Sequence, residues 1–569
     1  MASEHAPAEL LGALSRLLNQ IRTVEVPLAT PGAAEALRTR DAVVDQLSDF
    51  VIPRLVQLDA PLLAVVGGST GAGKSTLVNT LVGHRVTESG VLRPTTRSPV
   101  LVHHPDDAEW FQPDRILPDL PRTEVQGNTT YALRLASSTG VPRGLAILDA
   151  PDVDSIDADN RALATQLLAA ADLWLFVTSA ARYADQVPWE YLRRAAERST
   201  SVAVVLDRTN AEAVVEVRGH LARMMTARGL SDSPLFTVPE APIDPDGLIP
   251  PEAVAPITGW LHDLAADPEG RQAVVFKTLD GAVRHNVMRA HDVGDELGEQ
   301  ATAALELHAL VTAVHAETVD VVRLGISDGS LLRGDVRTRW QEFVGTGELL
   351  RSVEQKVSRL RDRLVTGVTG RRPRDAEVAE AIAQALVSLV HESAQSAAEA
   401  IVRGWGESTL GRPVVEANRG IERSSAELAV RVERLVHDWQ AEVLELVRSD
   451  SADRKLNPNV LALGQHGIGV ALQVMVITRR STDTDDDAGA ARSLLSAIFG
   501  PPGAKDLVDR AEQSLTAAVE ALLDSERDRF AAVVDSPDDL LASQTALRDA
   551  ARRAEYARHA DFLDGELTP

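Results

Sequence analysis

The sequence predicts an α/β domain with a doubly wound, mostly parallel sheet, joined to a long α-helical bundle or stalk built from both chain ends. Three observations carry that reading. Residues Gly68 to Thr76 read Gly-Ser-Thr-Gly-Ala-Gly-Lys-Ser-Thr and follow the apolar run Leu62 to Gly67. From Leu62 to about Thr237, short β-rich runs alternate with helical stretches. After Ala253, alanine-, leucine- and glutamate-rich stretches dominate up to about Tyr556, with few strand signals.

The glycine-rich segment matches G-x-x-x-x-G-K-[ST] between a buried strand and a helix opening, the context in which the motif has physical meaning. Its glycines let backbone N–H groups curl around a phosphate, and the helix beginning near Lys74 adds the positive end of its dipole. Lys74 is placed to reach the β- and γ-phosphates, and the Ser75 hydroxyl to complete a Mg²⁺ shell. Gly68, Ser69, Thr70, Gly71, Ala72, Gly73, Lys74, Ser75 and Thr76 are therefore the expected cradle of a nucleoside triphosphate.

The strand runs lie at Leu62–Val66, Pro99–His103, Leu145–Leu148, Leu173–Val177, Val202–Leu206 and Leu235–Val238. Strands alternating with helices read as a doubly wound sheet. Five prolines between Pro239 and Pro251 mark an exit linker. Before the sheet, leucines at 10, 11, 14, 17 and 18 have helical spacing, and Ala34 to Leu55 continues the pattern after Pro31-Gly32. These helices need partners for their apolar faces, and the C-terminal helices are the expected partners. The predicted division is 1–58 for the N-terminal helices, 59–265 for the nucleotide domain and 266–569 for the helical stalk.

A chain of 569 residues exceeds one core. The net charge of −25 argues against nucleic acid as the main partner, which needs a basic face. No cysteine is present, which excludes disulfides, thiolate metal sites and a cysteine nucleophile. Residues Met1 to Pro7 show no basic segment leading into an apolar core, so no signal peptide is expected and a cytoplasmic location fits.

Residues Leu456 to Thr478 carry no formal charge and are flanked by Arg454, Lys455, Arg479 and Arg480. The length approaches a membrane span. Asn459, Gln465, His466, Gln473 and three glycines interrupt it. Beyond an acidic loop comes Ser493 to Gly500. Two readings stay open for 456–500: a pair of core helices, or a hairpin that lies on or dips into a bilayer. Arg371, Arg372 and Arg374 form a short basic loop, and Arg182 with Tyr183 follows the fourth strand. Arg182 reads either as a solvated arginine at a helix start or as a group reaching a second nucleotide domain.

Two further elements stand behind the phosphate loop. Leu92-Arg93-Pro94-Thr95-Thr96-Arg97-Ser98 precedes a strand, and a threonine in such a loop binds Mg²⁺ and the γ-phosphate only in the triphosphate state. Thr96 is the expected residue, with Thr95 one position away. Leu145 to Leu148 ends in Asp149, which suits a direct or indirect Mg²⁺ position.

In the phosphate loop, the Arg93–Thr96 loop and Leu148-Asp149-Ala150-Pro151-Asp152-Val153-Asp154-Ser155, the chain resembles the dynamin-like branch of the translation-factor-related GTPases, in particular the bacterial dynamin-like proteins. The resemblance covers Leu62 to about Asn210 in motif and the remainder in architecture. It implies a P-loop GTPase domain with a helical stalk, GTP as substrate, Mg²⁺ as cofactor, and work at an anionic membrane surface with 456–500 as candidate tip. It also implies a homodimer through the G domains, or pairing with a paralogous GTPase, at the inner face of the plasma membrane. Lys74, Thr96 and Asp152 are the expected catalytic positions, Ser75, Thr96 and Asp149 the metal ligands, and Asp207, Arg208 and Asn210 the base-reading segment. The chain departs from the family pattern where Asp152 replaces the glycine of D-x-x-G, Gly71 replaces a frequent serine, and Asn210 replaces the aspartate of [NT]-K-x-D. Two other classes remain open: an ABC-type ATPase, which would need a Leu-Ser-Gly-Gly-Gln signature absent from the sequence, and a nucleotide-binding scaffold with little hydrolysis.

Overall fold

The computed structural model describes residues 6–87, 99–112, 115, 117, 120–123, 132–154, 158–197, 201–210, 212–345, 374–452, 464–481 and 486–562. The chain divides into two compact units. One comprises Met1–Val26, Pro31–Gly298 and Leu541–Pro569, and the other Pro27–Thr30 and Glu299–Leu540.

The first unit is built on an eight-stranded sheet. Its strands are β1 (Leu62–Gly68), β2 (Val100–His103), β3 (Arg122–Thr123), β4 (Leu133–Ser137), β5 (Leu145–Asp149), β6 (Leu173–Ser179), β7 (Ser201–Thr209) and β8 (Leu235–Pro239). Their order across the sheet is β3-β4-β2-β5-β1-β6-β7-β8. Every pairing is parallel except β2 with β5. β1 lies between β5 and β6 and is buried along its whole length. A strand buried on both faces needs an unbroken apolar run, which Leu62 to Val66 supplies. All six strand runs read from the sequence are present. β3 and β4, which no sequence run announced, extend the sheet at one edge.

Helices α1 (Ala6–Arg22), α2 (Ala33–Gln46) and α3 (Ile52–Val56) precede the sheet. Leu10, Leu14, Leu17 and Ile21 are fully buried at the helical spacing that predicted α1. Helices α4 (Lys74–Val82), α5 (Ala158–Ala169), α6 (Gln186–Glu197), α7 (Val214–Thr226) and α8 (Pro251–Ala266) connect or follow the strands. Arg54 of α3 donates to Asp172 at 2.9 Å, and Asp172 accepts the Leu63 N–H at 2.9 Å. This buried pair fixes the helical lead-in to the start of β1.

The second unit is helical. Helix α9 (Pro268–Ser327) contributes from Glu299 onward, followed by α10 (Gly334–Gly345), α11 (Arg374–Glu407), α12 (Gly411–Ala417), α13 (Leu428–Ala452), α14 (Gly464–Ile477) and α15 (Asp486–Ala531). The last helix, α16 (Pro537–Phe562), crosses back at Leu541. α15 breaks at Gly500, whose φ of 74° and ψ of 159° precede Pro501-Pro502. Residues Pro27–Thr30 join this unit because the Gln300 amide brackets Leu28, accepting from its N–H at 2.8 Å and donating to its carbonyl at 2.9 Å.

The uncharged segment resolves here. Ile468, Val470, Ala471, Leu472, Val474, Val476 and Ile477 of α14 are buried in the unit's hydrophobic core, as are Leu494, Leu495 and Phe499. The helix Gly464–Ile477 is packed into the core from Ile468 onward. Of the two readings left open for 456–500, the described residues match the pair of core helices, the apolar face of α14 being covered by α13 and α15. Residues 456–463 lie outside the described residues. Among the described residues, no helix is long and apolar enough to cross a membrane.

Candidate nucleotide-binding site

The site lies at the carboxyl end of β1, where a doubly wound sheet places its ligands. β1 pairs Val66 with Asp149 of β5 and Gly68 with Val177 of β6, which brings the phosphate loop beside the end of β5. Two glycines of the loop are required by geometry. A side chain on Gly68 would collide with the Val177 carbonyl, and one on Gly73 with the Asp207 carboxylate; both have positive φ. α4 then starts at Lys74, with the Leu77 N–H donating to the Gly73 carbonyl at 2.9 Å.

Lys74 is buried. Its Nζ donates to the carbonyls of Gly68 and Ser69, each at 3.1 Å, and forms a short ion pair with the Asp152 carboxylate. Ser75 Oγ donates to Asp149 Oδ2 at 2.7 Å. Thr87 Oγ1 donates to the same oxygen, also at 2.7 Å. Thr87 is itself fixed by Asn79, whose amide accepts its N–H at 2.9 Å and donates to its carbonyl at 3.0 Å. Burial pushes the Asp149 carboxyl above its usual range, opposed by the Thr87 and Ser75 hydroxyls and by the nearby Lys74 charge. Asp149 Oδ1 is buried and has no hydrogen-bond partner among the described residues.

That orphaned oxygen bears on Mg²⁺. A hard divalent cation takes oxygen ligands, and Ser75 with Asp149 supplies a hydroxyl and a buried carboxylate oxygen at one point. The residues fit the ion. Among the described residues no three carboxylates or imidazoles gather to hold a metal alone, so phosphate oxygens or water would have to supply the rest of a Mg²⁺ shell.

A second cluster holds the loop at Thr70. Asp154 Oδ1 accepts the Thr70 N–H at 2.6 Å and its hydroxyl at 2.7 Å. Arg182 donates to the Thr70 carbonyl at 2.8 Å and pairs with Asp154 and Asp185, each at 2.8 Å. Burial opposes ionisation of Asp154, but the Thr70 bonds and the Arg182 charge hold its carboxyl below the usual range. Arg182 is thus bound within its own chain, not merely solvated.

The base-reading segment follows the end of β7. Asp207 packs on Gly73 of the phosphate loop and takes the Arg208 N–H at 2.8 Å. Arg208 has φ of 54°, a left-handed conformation. Asn210 is exposed; its Oδ1 accepts the Glu212 N–H at 3.1 Å, and its carbonyl accepts from Ala213 and Val214 at the start of α7. Its acceptor oxygen is engaged in that turn. Thr76 lies in the first turn of α4. Thr95 and Thr96, with Arg93-Pro94, lie outside the described residues, as do Arg371 and Arg372. Thr87 and Asn79 carry no motif, and the pairing of Asp154 with Arg182 was not read from the sequence; only their contacts show that they hold the site.

Asp207 carries a pH dependence. Burial pushes its carboxyl from 3.8 up to about 6, against the lowering effect of the Arg208 N–H and charge. A carboxyl with a raised folded pKa favours the fold below its unfolded pKa, and that contribution is lost as pH rises through about 6. Asp207→Asn is expected to stabilise the fold at pH 8 by on the order of 2 kcal/mol, raising its melting temperature, and to leave the melting temperature unchanged at pH 4. Thermal melts across pH 4–8 check this; destabilisation at pH 8 would show that the Asp207 charge is used.

No family model matches the chain. Over 161 residues it is 25% identical to a probable transmembrane GTPase, FZO-like, of Arabidopsis thaliana chloroplasts, a match of 28% of this chain and 16% of that protein's length. The chain is similar to bacterial dynamin GTPases. Two solved chains come from an oligomerised bacterial dynamin pair described in terms of long-range sensing and tethering of membranes. They superpose with TM-scores of 0.38 and 0.39 at 10% identity, covering 97% and 95% of this chain and 95% and 96% of their own. LeoA, a bacterial dynamin GTPase from ETEC, gives a TM-score of 0.23 at 12% identity, with 97% of each chain covered. These superpositions are too loose to transfer residue roles, which rest on the contacts above.

Proposed function

We propose that the protein is a dynamin-like GTPase that binds and hydrolyses GTP with Mg²⁺ and couples turnover to movement of its helical unit at an anionic membrane surface. The observation that carries this reading is the convergence of the phosphate loop, buried Lys74, and the Ser75–Asp149 pair with its unpartnered oxygen at the end of β1.

In the reaction, water attacks the γ-phosphorus and the bond to the β–γ bridging oxygen breaks, leaving GDP and phosphate. Loop N–H groups and Lys74 Nζ bind β- and γ-oxygens, where charge builds as the bridge breaks. Ser75 and Asp149 would hold Mg²⁺, which when bound would neutralise phosphate charge, and Thr87 orients the Asp149 carboxylate. Thr96 is proposed as the switch threonine, Asp152 as a third-motif residue, and Asp207, Arg208 and Asn210 as the edge facing the base. The protein works in the cytoplasm or peripherally at the inner face of the plasma membrane, as a pair with a second copy or a paralogous GTPase through the G domains.

A second reading is a nucleotide-dependent scaffold with little hydrolysis. It is favoured by Asp152, a carboxylate on Lys74 where the family pattern has glycine. Phosphate release from GTP and ATP, with and without anionic liposomes, separates the two. Expected are release from GTP in preference to ATP and faster release with liposomes. Nucleotide binding without release supports the scaffold. Equal use of ATP overturns the GTPase assignment, and indifference to liposomes removes the membrane coupling.

A further inference from the structure

Two anion-receiving positions of the phosphate loop are filled by the protein's own carboxylates. Asp152 sits on Lys74 Nζ, and Asp154 sits on the Thr70 N–H and hydroxyl. Both come from one short segment directly after β5. Its backbone is tied to β1 and the loop, the Ala150 N–H donating to the Val66 carbonyl at 3.2 Å and the Val153 N–H to Gly68 at 3.4 Å. The two side chains are only 13% and 11% exposed, so these are seated contacts rather than chance surface pairs. Arg182 closes the arrangement from the other side, on the Thr70 carbonyl and Asp154.

A triphosphate needs the same donors. Its phosphates carry several negative charges and cannot share Lys74 and the Thr70 N–H with two carboxylates a few ångströms away, because like charges at that separation repel strongly where water is excluded. One occupant must leave.

We propose that residues 152–154 form an acidic strap that occupies the phosphate positions of the resting site, and that a nucleoside triphosphate binds only by displacing it. This inference rests on the nucleotide-site reading above and adds its regulation. Affinity is then reduced by the fraction of molecules whose strap is open. The competition concerns phosphates, so it is blind to the base. Asp152 is the main competitor, because it holds the cation that a triphosphate needs; Asp154 secures the strap through Thr70 and Arg182.

The test uses the full chain with a fluorescent GTP analogue and, separately, inorganic tripolyphosphate, both with Mg²⁺. Asp152→Asn keeps the shape and removes the charge. It is expected to tighten both ligands by about tenfold, about 1.4 kcal/mol, and Asp152→Asn with Asp154→Asn to tighten them further. Unchanged or weaker binding of both ligands by a folded Asp152→Asn overturns the strap, since the carboxylate would then be supporting Lys74. Tightening of the GTP analogue alone also overturns it, because a strap cannot sense the base. Hydrogen exchange on the wild type gives a reading free of substitution: tripolyphosphate should slow exchange in the phosphate loop and speed it in the segment around Asp152–Asp154. Slowing in both places overturns the strap. If wild type and variants alike bind neither ligand, the nucleotide-site reading itself has failed, an outcome distinct from binding without the expected gain.

Discussion

Replacing Lys74 by alanine is expected to lower triphosphate affinity by about 100-fold or more, about 2.7 kcal/mol. Nζ is the buried cation of the loop, and charge-assisted bonds to two phosphate groups supply on the order of 1.5–3 kcal/mol each. The substitution has a second consequence. Asp152 is largely buried and would lose its partner. Removing one member of a buried pair costs on the order of 3 kcal/mol in stability, so lost binding in Lys74→Ala could reflect unfolding. The double variant Lys74→Ala with Asp152→Ala removes both charges. It is expected to regain thermal stability without regaining nucleotide binding. Isothermal titration alongside thermal melts decides. Near-normal affinity in either variant would place the nucleotide elsewhere.

Much of this site was legible before any coordinates because two of its features are local. A parallel strand buried on both faces has to be an apolar run, and a loop that cradles phosphate has to be rich in glycine and end in lysine and serine. β1, the loop and α4 therefore announced themselves, and Asp149 did so by ending the apolar run Leu145–Leu148. The edge strands did not. Arg122–Thr123 is too short to carry a pattern, and Leu133–Ser137 is only partly buried along its length. Thr87, and the role of Asp154 within its quoted segment, were silent for a different reason: their importance is one hydroxyl and one carboxylate meeting Asp149 and Thr70 across 62 and 84 residues of chain. Arg182 was visible, but its two readings could be separated only by seeing that Asp154 and the Thr70 carbonyl already hold it. The boundary between units was also hidden, because it falls within the continuous helical pattern of α9.

The uncharged stretch at 464–478 shows where composition cannot choose. A buried helix and a membrane-facing helix are both apolar, so the polar residues and glycines that interrupt it decide. Gln473 accepts from the Gln440 amide at 3.0 Å inside the core, which makes it a satisfied buried group. A side chain on Gly469 would come within 2.7 Å of Leu444, so that glycine lets α13 and α14 approach closely. Arg479, one of the flanking cations, pairs with Asp509 at 2.6 Å and with Glu512.

Leu472→Glu combined with Val474→Glu is therefore expected to unfold the helical unit rather than to detach the protein from a membrane. Both side chains are fully buried. Deleting apolar groups of this size costs about 1–5 kcal/mol each. Burying an unpaired carboxylate adds several kcal/mol, or forces its protonation. The sum is comparable with the whole stability of a domain, about 5–15 kcal/mol. The variant should lose much of its helical circular dichroism at temperatures where the wild type melts cooperatively, and become open to proteolysis between Glu299 and Leu540. The conservative pair Leu472→Met with Val474→Ile should melt within a few degrees of the wild type, since near-isosteric core exchanges cost less than about 1.5 kcal/mol. A Glu variant that melts like the wild type would show that α14 is not core, and would reopen its apolar face to a bilayer. Without that result, any loss of liposome binding in the Glu variant reports unfolding. The membrane question then has to be put to the wild type, by co-sedimentation with anionic liposomes in the presence and absence of nucleotide.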